Sequence, residues 1–462
     1  MSTGDQTCQY VFEPTTPTEK KLLEAAGITD QDAWHCPHLA EEDSELCCFH
    51  LPVDEKDDEA VSEEILNRIH AVSAGDSDDL PSETLQFVGA TLGTLSFGDD
   101  VDTIDIDDRN LTFFGATIDR IMWNDLTVSA GTVDFQHTSF TGAARFKNTT
   151  FDCSTEFRGA VFERNTNFYN TVFREDLTFI GVTVRGGANF KKAEFAGEHN
   201  FFTASVFETT ANFARMEGLA HFDDVSFEGG ANFAKAHLTG IFDSAIFDES
   251  AYFKQATIPH ASFEHVTFND EANFYGVEFE AAVQFDHATF EDGGYFKEVA
   301  HDHLSFPYAD VSGSRFDDAE IPYANFNHAD LTDTVFEGAD LRGANLVSAV
   351  MTRGMLFDAN LPGAFLSGTI FRDVQINEHT RFLGHHTDSG ESQPQRSAAD
   401  SSTQWCVYDP EYQPDNDHED RNEARRVYKK LELLARRNAR VQLETRCTDR
   451  RHALRTDTDE RG

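Results

Sequence analysis

Residues 324–346 read ANFNH-ADLTD-TVFEG-ADLRG-ANL, and what recurs there every five places decides the fold. Phe326, Leu331, Phe336, Leu341 and Leu346 are large and apolar. Two residues before them stand Ala324, Ala329, Thr334, Ala339 and Ala344. Working outward, the apolar spacing runs unbroken from Phe306, Val311, Phe316 and Ile321 to Leu366, Phe371 and Ile376. A helix repeats every ~3.6 residues and a strand every ~2, so a period of five belongs to neither. It belongs to a chain that turns a corner every five residues and points each centre inward, which is a solenoid.

Upstream, Phe135, Phe146, Phe157, Phe168, Phe179, Phe190 and Phe201 recur every eleven residues. Phe140, Phe151, Phe162, Phe173, Val184 and Phe195 interleave with them, so the spacing alternates between five and six. The pattern blurs at Met216–Leu219 and Leu238–Phe242 and resumes at Phe263, while Phe87, Leu92 and Phe97 form an earlier, less regular start. The triplets Ala188-Asn189-Phe190, Ala211-Asn212-Phe213 and Ala272-Asn273-Phe274 combine a small residue, Asn and an aromatic centre. Over residues 85–382 the chain resembles the pentapeptide-repeat family. The resemblance implies an all-β solenoid: a right-handed quadrilateral parallel β-helix with four pentapeptides per coil. Coils of this kind stack at about 4.8 Å. The 42 phenylalanines read as packing ladders rather than as a cofactor box.

The net charge is −45, from 82 acidic and 37 basic residues. The acidic bias extends outside the repeat, at Glu41-Glu42-Asp43 and Asp54–Glu59, and so reads as adaptation to a high-salt cytoplasm. Direct nucleic-acid binding by the rod is disfavoured, because phosphate contacts need clustered cations. Met1–Gln9 lacks the basic start of a signal peptide, and no run approaches the ~20 apolar residues of a transmembrane segment. The expected location is cytoplasmic. Seven unevenly placed cysteines do not suggest a disulfide framework.

Four of those cysteines lie in residues 1–56, as Cys8, Cys36-Pro37-His38 and Cys47-Cys48-Phe49-His50. Cys8, Cys36, Cys47 and His50 would make a Cys₃His set that suits tetrahedral zinc in a closed, structural site. Cys48 could replace Cys47, and His38 could replace a cysteine. The alternative is a set of small buried residues with no ligand role. The segment resembles the leader ahead of pentapeptide repeats in some haloarchaeal proteins, which favours a zinc-held cap. Asp57–Ala74 reads as a short acidic helix, within a linker over 57–84 that leads to the first coil.

Residues 383–414 read as a flexible linker, and 415–462 as a basic amphipathic α-helix with a polar tail. Val427, Leu431, Leu434 and Val441 form its apolar seam, while Arg421, Arg425, Arg426, Lys429 and Lys430 face away. Such a helix could dock on the acidic solenoid, pair two copies as a homodimer, or make peripheral contact with a membrane. Some haloarchaeal relatives continue from a similar helix into a two-span pore. Here the chain reaches Gly462 after an arginine-rich tail, so no pore function is carried over.

The sequence shows no phosphate-cradling loop, nucleophile elbow or metalloprotease motif. His137, His221 and His287 fall at polar repeat positions and are expected to face solvent. The reading is a non-enzymatic, rod-shaped scaffold for an unidentified protein partner. One rival is a DNA-mimicking regulator of a topoisomerase such as gyrase, as the family resemblance implies. Another is a cytoplasmic module of a truncated or trans-acting ion channel.

Overall fold

The computed structural model describes residues 6–25, 28, 33–73, 82–98, 100–281, 283–366, 368–377, 379–382 and 440–444. It forms two compact units, Met1–Tyr252 and Phe253–Gly462. Each unit contains a parallel β-solenoid built from the same local device. A centre points inward, the next two residues turn, and the amide three places on donates to the centre's carbonyl. Thr149 donates to Phe146 at 3.2 Å and Ala319 to Phe316 at 3.1 Å. The residue two places after the centre is left-handed, a conformation that Gly, Asn and Asp adopt most cheaply. Asn148 (φ 57°), Asp318 (φ 55°) and Gly338 (φ 70°) supply it.

In the first unit Ala144 pairs with Thr166 and Thr166 with Ala188, giving 22-residue coils. Later the coil shortens to 20 residues, as Ala211 pairs with Ala231 and Ala231 with Ala251. The second unit opens with a 22-residue coil (Ala272 to Gly294) and then runs on pure pentads. There Ala300–Glu320, Ser305–Asn325, Asp310–Asp330 and Arg315–Val335 bridge successive coils, one contact for each of four sides.

Inside, identical centres stack along the coil axis. Phe146–Phe168, Phe168–Phe190, Phe190–Phe213 and Phe213–Phe233 have centroids 4.6–5.0 Å apart with nearly parallel planes. Neighbouring ladders meet edge to face, as Phe316 meets Phe326 at 5.6 Å and 88°. Aromatic quadrupoles favour both arrangements. The alanines keep the interior narrow, and Ala319, Ala324 and Ala339 are fully buried.

One detail differs from the sequence expectation. The eleven-residue row does not end on Phe201, which is half-buried; Phe202 takes the core position and stacks on Phe222 at 4.9 Å. An extra residue enters between Phe195 and this centre. Fully buried Asn200 holds the enlarged corner by donating to the carbonyls of Gly197 (2.9 Å) and Leu219 (3.0 Å). The segments where the pattern blurs are straight sides: Glu217–His221 and His237–Ile241 pair along all five residues. Gly218 is required there, with φ +117° and the Phe195 carbonyl oxygen 2.0 Å from where a Cβ would stand.

The amino-terminal segment lies against the first coils. Helix α1 (Pro17–Ala25) starts with a capping box, in which Thr16 Oγ1 accepts from the Glu19 amide and the Glu19 carboxylate accepts from the Thr16 amide. Tyr10 and Phe12 pack against turns at Gly89 and Gly115, where an added Cβ would meet their rings. His137, expected in solvent, is half-buried. His221 is also half-buried, whereas His287 is exposed. Helix α2 (Asp58–Ser73) is more than a spacer. It buries Val61, Ile65, Ile69 and Val72 and covers the edge of the first strand, Thr91–Ser96. Asp58 accepts from the Thr94 amide (2.7 Å), and Ser62 Oγ bonds both Thr94 O and Ser96 N. Polar side chains thus satisfy an edge that could otherwise template aggregation.

The expected linker over 383–414 and most of the expected helix over 415–462 lie outside the described residues. Within that range Arg440–Glu444 is a strand, not helix, and pairs antiparallel with Ile370–Gln375. The helical seam therefore does not extend to Val441.

One buried carboxyl breaks the apolar rule of these coils. Asp134 is 2% exposed, stacks in register between Thr112 and Glu156, and leaves Oδ2 without a partner. Burial pushes its pKa up to about 7, and nearby Glu156 adds to the rise. A carboxyl raised in the fold stabilises fully below its unfolded pKa near ~4 and loses that contribution as pH rises through about 7. Asp134→Asn should therefore raise the unfolding free energy at pH 8 by on the order of 2 kcal/mol and change it little at pH 4. Urea melts at the two pH values test this; equal effects would refute it.

Candidate metal centre

The knuckle Cys47-Cys48-Phe49-His50 is a tight turn in which the His50 amide donates to the Cys47 carbonyl at 2.9 Å. The turn brings both side chains to one side. Cys8 arrives on the opposite segment, where its amide bonds His38 O and its sulfur accepts from the Cys47 amide at 3.3 Å. Cys36 follows the antiparallel pairing of Val11–Phe12 with Trp34–His35. The donor atoms of Cys8, Cys36, Cys47 and His50 lie within 4.8 Å of one another, and all four residues are buried.

Their spacing suits one tetrahedral ion. Zinc–sulfur bonds of about 2.3 Å place two sulfurs about 3.8 Å apart. The structure has Cys36 Sγ–Cys47 Sγ at 3.7 Å, Cys8 Sγ–His50 Nδ1 at 3.7 Å and Cys47 Sγ–His50 Nδ1 at 3.2 Å. On its far side, His50 Nε2 lies 3.0 Å from the Val88 carbonyl. Donating there leaves Nδ1 as the free lone pair, the usual outer-shell arrangement of a metal-ligating histidine. The Tyr10 ring stacks on the imidazole at 3.9 Å.

The hydrogen bond from Cys36 draws the Cys47 pKa down to about 3 and raises that of Cys36, which burial raises further. Burial also raises Cys8.

Neither alternative donor joins the set. Cys48 is half-buried elsewhere, with burial pushing its thiol up to about 12. His38 has both ring nitrogens engaged, with Nε2 2.8 Å from Gln86 O and Nδ1 2.6 Å from Arg68. Burial, then the Arg68 charge, lowers its pKa to about 4, so it stays neutral.

The knuckle also positions Phe49, a role that the sequence reading missed. Phe49 is fully buried and meets Phe87, the first rung of the aromatic ladder, at 4.8 Å and 69°. Phe87 then stacks on Phe113 and Phe113 on Phe135. The cap therefore plugs the open end of the core. Lys56 reinforces the join, its ammonium donating to the carbonyls of Cys48 (2.9 Å), Phe49 (3.1 Å) and Thr91. Burial lowers its pKa to about 8. The signal available in sequence was an aromatic between two donors.

Beside the cap lies a surface hollow of about 430 Å³, lined in part by His38, Glu64, Asn67 and Arg68. Arg68 is already engaged with Glu64 (2.8 Å), with His38 and with the Phe49 ring at 5.0 Å. Among the described residues, no helix is long and apolar enough to cross a membrane.

Comparison with protein families agrees with this architecture. Pentapeptide repeats are matched at residues 135–183 and 233–278, and again at 305–338 and 334–373. Among solved structures, the chain is similar to HetL, a pentapeptide repeat protein involved in heterocyst differentiation regulation from the cyanobacterium Nostoc sp. strain PCC 7120. That match has 14% identity, covers 66% of this chain and 92% of that one, and has a TM-score of 0.22. It is also similar to QnrB1, a plasmid-mediated fluoroquinolone resistance protein, with 15% identity over 44% and 88% of the two chains and a TM-score of 0.19. No curated protein matches. With their five-residue period, four-sided coils and these family matches, residues 135–183, 233–278 and 305–373 are repeats of the pentapeptide-repeat family.

Proposed function

We propose that this chain is a non-catalytic interaction scaffold whose amino-terminal cap is fastened to the first coil by a structural zinc ion. The observation that carries the clamp is the convergence of Cys8, Cys36, Cys47 and His50 within 4.8 Å. Three thiols and an imidazole are a soft, closed donor set that leaves no open position for a reacting water. Bound there, the ion would supply cohesion between three short segments, beside the buried side chains Trp34 and Phe49. His50 relays that cohesion to the coil through Val88, and Phe49 through Phe87.

The scaffold reading rests on what the coils present. Interior positions are filled by aromatic and aliphatic side chains, while turns and strand faces display polar residues at fixed coil spacing. Solenoids use such surfaces for binding along their length. The acidic excess fits solvation in a salt-rich cytoplasm.

Elemental analysis of the purified full chain should return one zinc per chain. A content well under one, with the thiols fully reduced, would overturn the clamp.

A further inference from the structure

The solenoid's lysines are not scattered. All six lysines between residues 86 and 382 fall one or two places after Phe146, Phe190, Phe233, Phe253 or Phe296. In the first unit this gathers Lys147, Lys191, Lys192 and Lys235, together with Arg215, on one corner of successive coils. Tyr169 fills the intervening coil and lies 5.6 Å from Lys192 Nζ. Among the described residues none of these five cations is ion-paired, whereas Arg174, Arg185, Arg315, Arg342 and Arg353 elsewhere on the coils all hold carboxylates. In a chain of net charge −45, an uncommitted cationic edge calls for a partner.

The adjoining face shows which partner fits. Its opposite edge carries Glu163, Glu208, Glu228 and Asp248, interrupted by Arg185 on the coil of Lys191 and Lys192, at the turn before the one that holds the cations. Arg185 bridges Glu163 (2.5 Å) and Glu208 (3.4 Å) within this acidic row. Between the two edges the face is low and ordered. Gly186-Gly187 and Gly229-Gly230 leave no side chains, and Asn167, Asn189, Asn212 and Asn232 form a ladder in register. Each Asn accepts from the backbone amide two residues on, which holds it in place. On the cations' other side lie Glu194 and Glu217.

We propose that this face binds a second copy of the chain through a two-fold axis parallel to the coil stack. The proposal rests on the scaffold reading and names its partner. Rotation about that axis keeps each coil level with its counterpart and exchanges the edges. Arg215 of one copy then meets Glu208 of the other, and Lys235 meets Glu228. A two-fold perpendicular to the stack would set cation against cation. The contact is isologous, so the same patch serves both copies. A nucleic acid lying on the cations would run beside the acidic rows on either flank, which disfavours it.

Charge swapping tests the geometry on the full chain by sedimentation equilibrium. Wild type should self-associate, and either Arg215→Glu/Lys235→Glu or Glu208→Lys/Glu228→Lys should weaken that association by about tenfold or more. Mixing the two variants should restore a one-to-one dimer, because at those two coils each presents only the sign that the other lacks. A strictly monomeric wild type, or association indifferent to the reversals, would overturn the proposal. So would a monomer that binds single-stranded DNA through Arg215 and Lys235. None of these outcomes bears on zinc content, so the clamp stands or falls separately.

Discussion

Replacing Cys47 with serine should release the amino-terminal cap while the coils beyond it stay folded. Cys47 is the hub of the donor set, within 3.7 Å of Cys36 Sγ and 3.2 Å of His50 Nδ1, and its amide bonds Cys8. Apparent binding free energies for structural zinc in small domains reach about 10–16 kcal/mol, and that energy is folding energy. The cap's regular structure is two paired two-residue strands and one nine-residue helix, so the ion would join segments that backbone pairing links only briefly. Three consequences can be measured together. Zinc content should fall well below that of wild type. Hydrogen exchange should quicken at Thr91, whose amide donates to Phe49 O at 2.9 Å. Proteolysis should cut within the cap before it cuts the coils. Cys48→Ser is the control, since that thiol is not among the four converging donors, and it should leave all three unchanged. Full zinc content in Cys47→Ser, or its loss in Cys48→Ser, would reject the ligand assignment.

The second large effect is expected in the core of the other unit. Phe316 is fully buried, stacks on Phe296 at 4.8 Å and Phe336 at 5.0 Å, and meets Phe306 and Phe326 edge-on at 5.7 and 5.6 Å. Phe316→Ala should cost about 3–5 kcal/mol, the range for emptying an aromatic site in a core that cannot collapse. Coils above and below are fixed by their own ladders, so relaxation into the cavity is small. Phe316→Leu should cost much less, because Leu346 and Leu356 occupy equivalent inward positions in the same unit. Exposed Tyr308→Ala should stay within about 0.5 kcal/mol. Equilibrium denaturation of the three variants gives the ranking, and a Phe316→Ala cost near that of Tyr308→Ala would show the ladder to be energetically idle.

The inward ladders were legible because each centre faces the core whatever its neighbours do. The donor set was legible because Cys47 and His50 bracket a single turn. Choosing Cys47 over Cys48 needed the path of the chain, since adjacent residues differ only in which way they point. Phe201 was misplaced because an eleven-residue rhythm cannot register one inserted residue, while burial selects Phe202. Arg440–Glu444 read as helix from local periodicity, but its partner Ile370–Gln375 lies far away in sequence, and pairing overrode propensity. The cationic corner was visible in the lysine positions. Averaging the charge over the whole chain hid it.

The change from 22-residue to pure pentad coils has a consequence for register. Where every pentad is alike, as along Phe306–Ile376, a slip of five residues returns each centre to an inward position and leaves the interior almost unchanged. Such a slip rotates every outward side chain by one side, so the surface is scrambled at little cost to the core. The 22-residue coil from Ala272 to Gly294 forbids this, because a five-residue shift there no longer maps centre onto centre. The uneven coil acts as a phase mark from which the even ones are counted. Excising one whole even coil would keep all four sides aligned, whereas excising a single pentad would leave a stable core wearing the wrong surface.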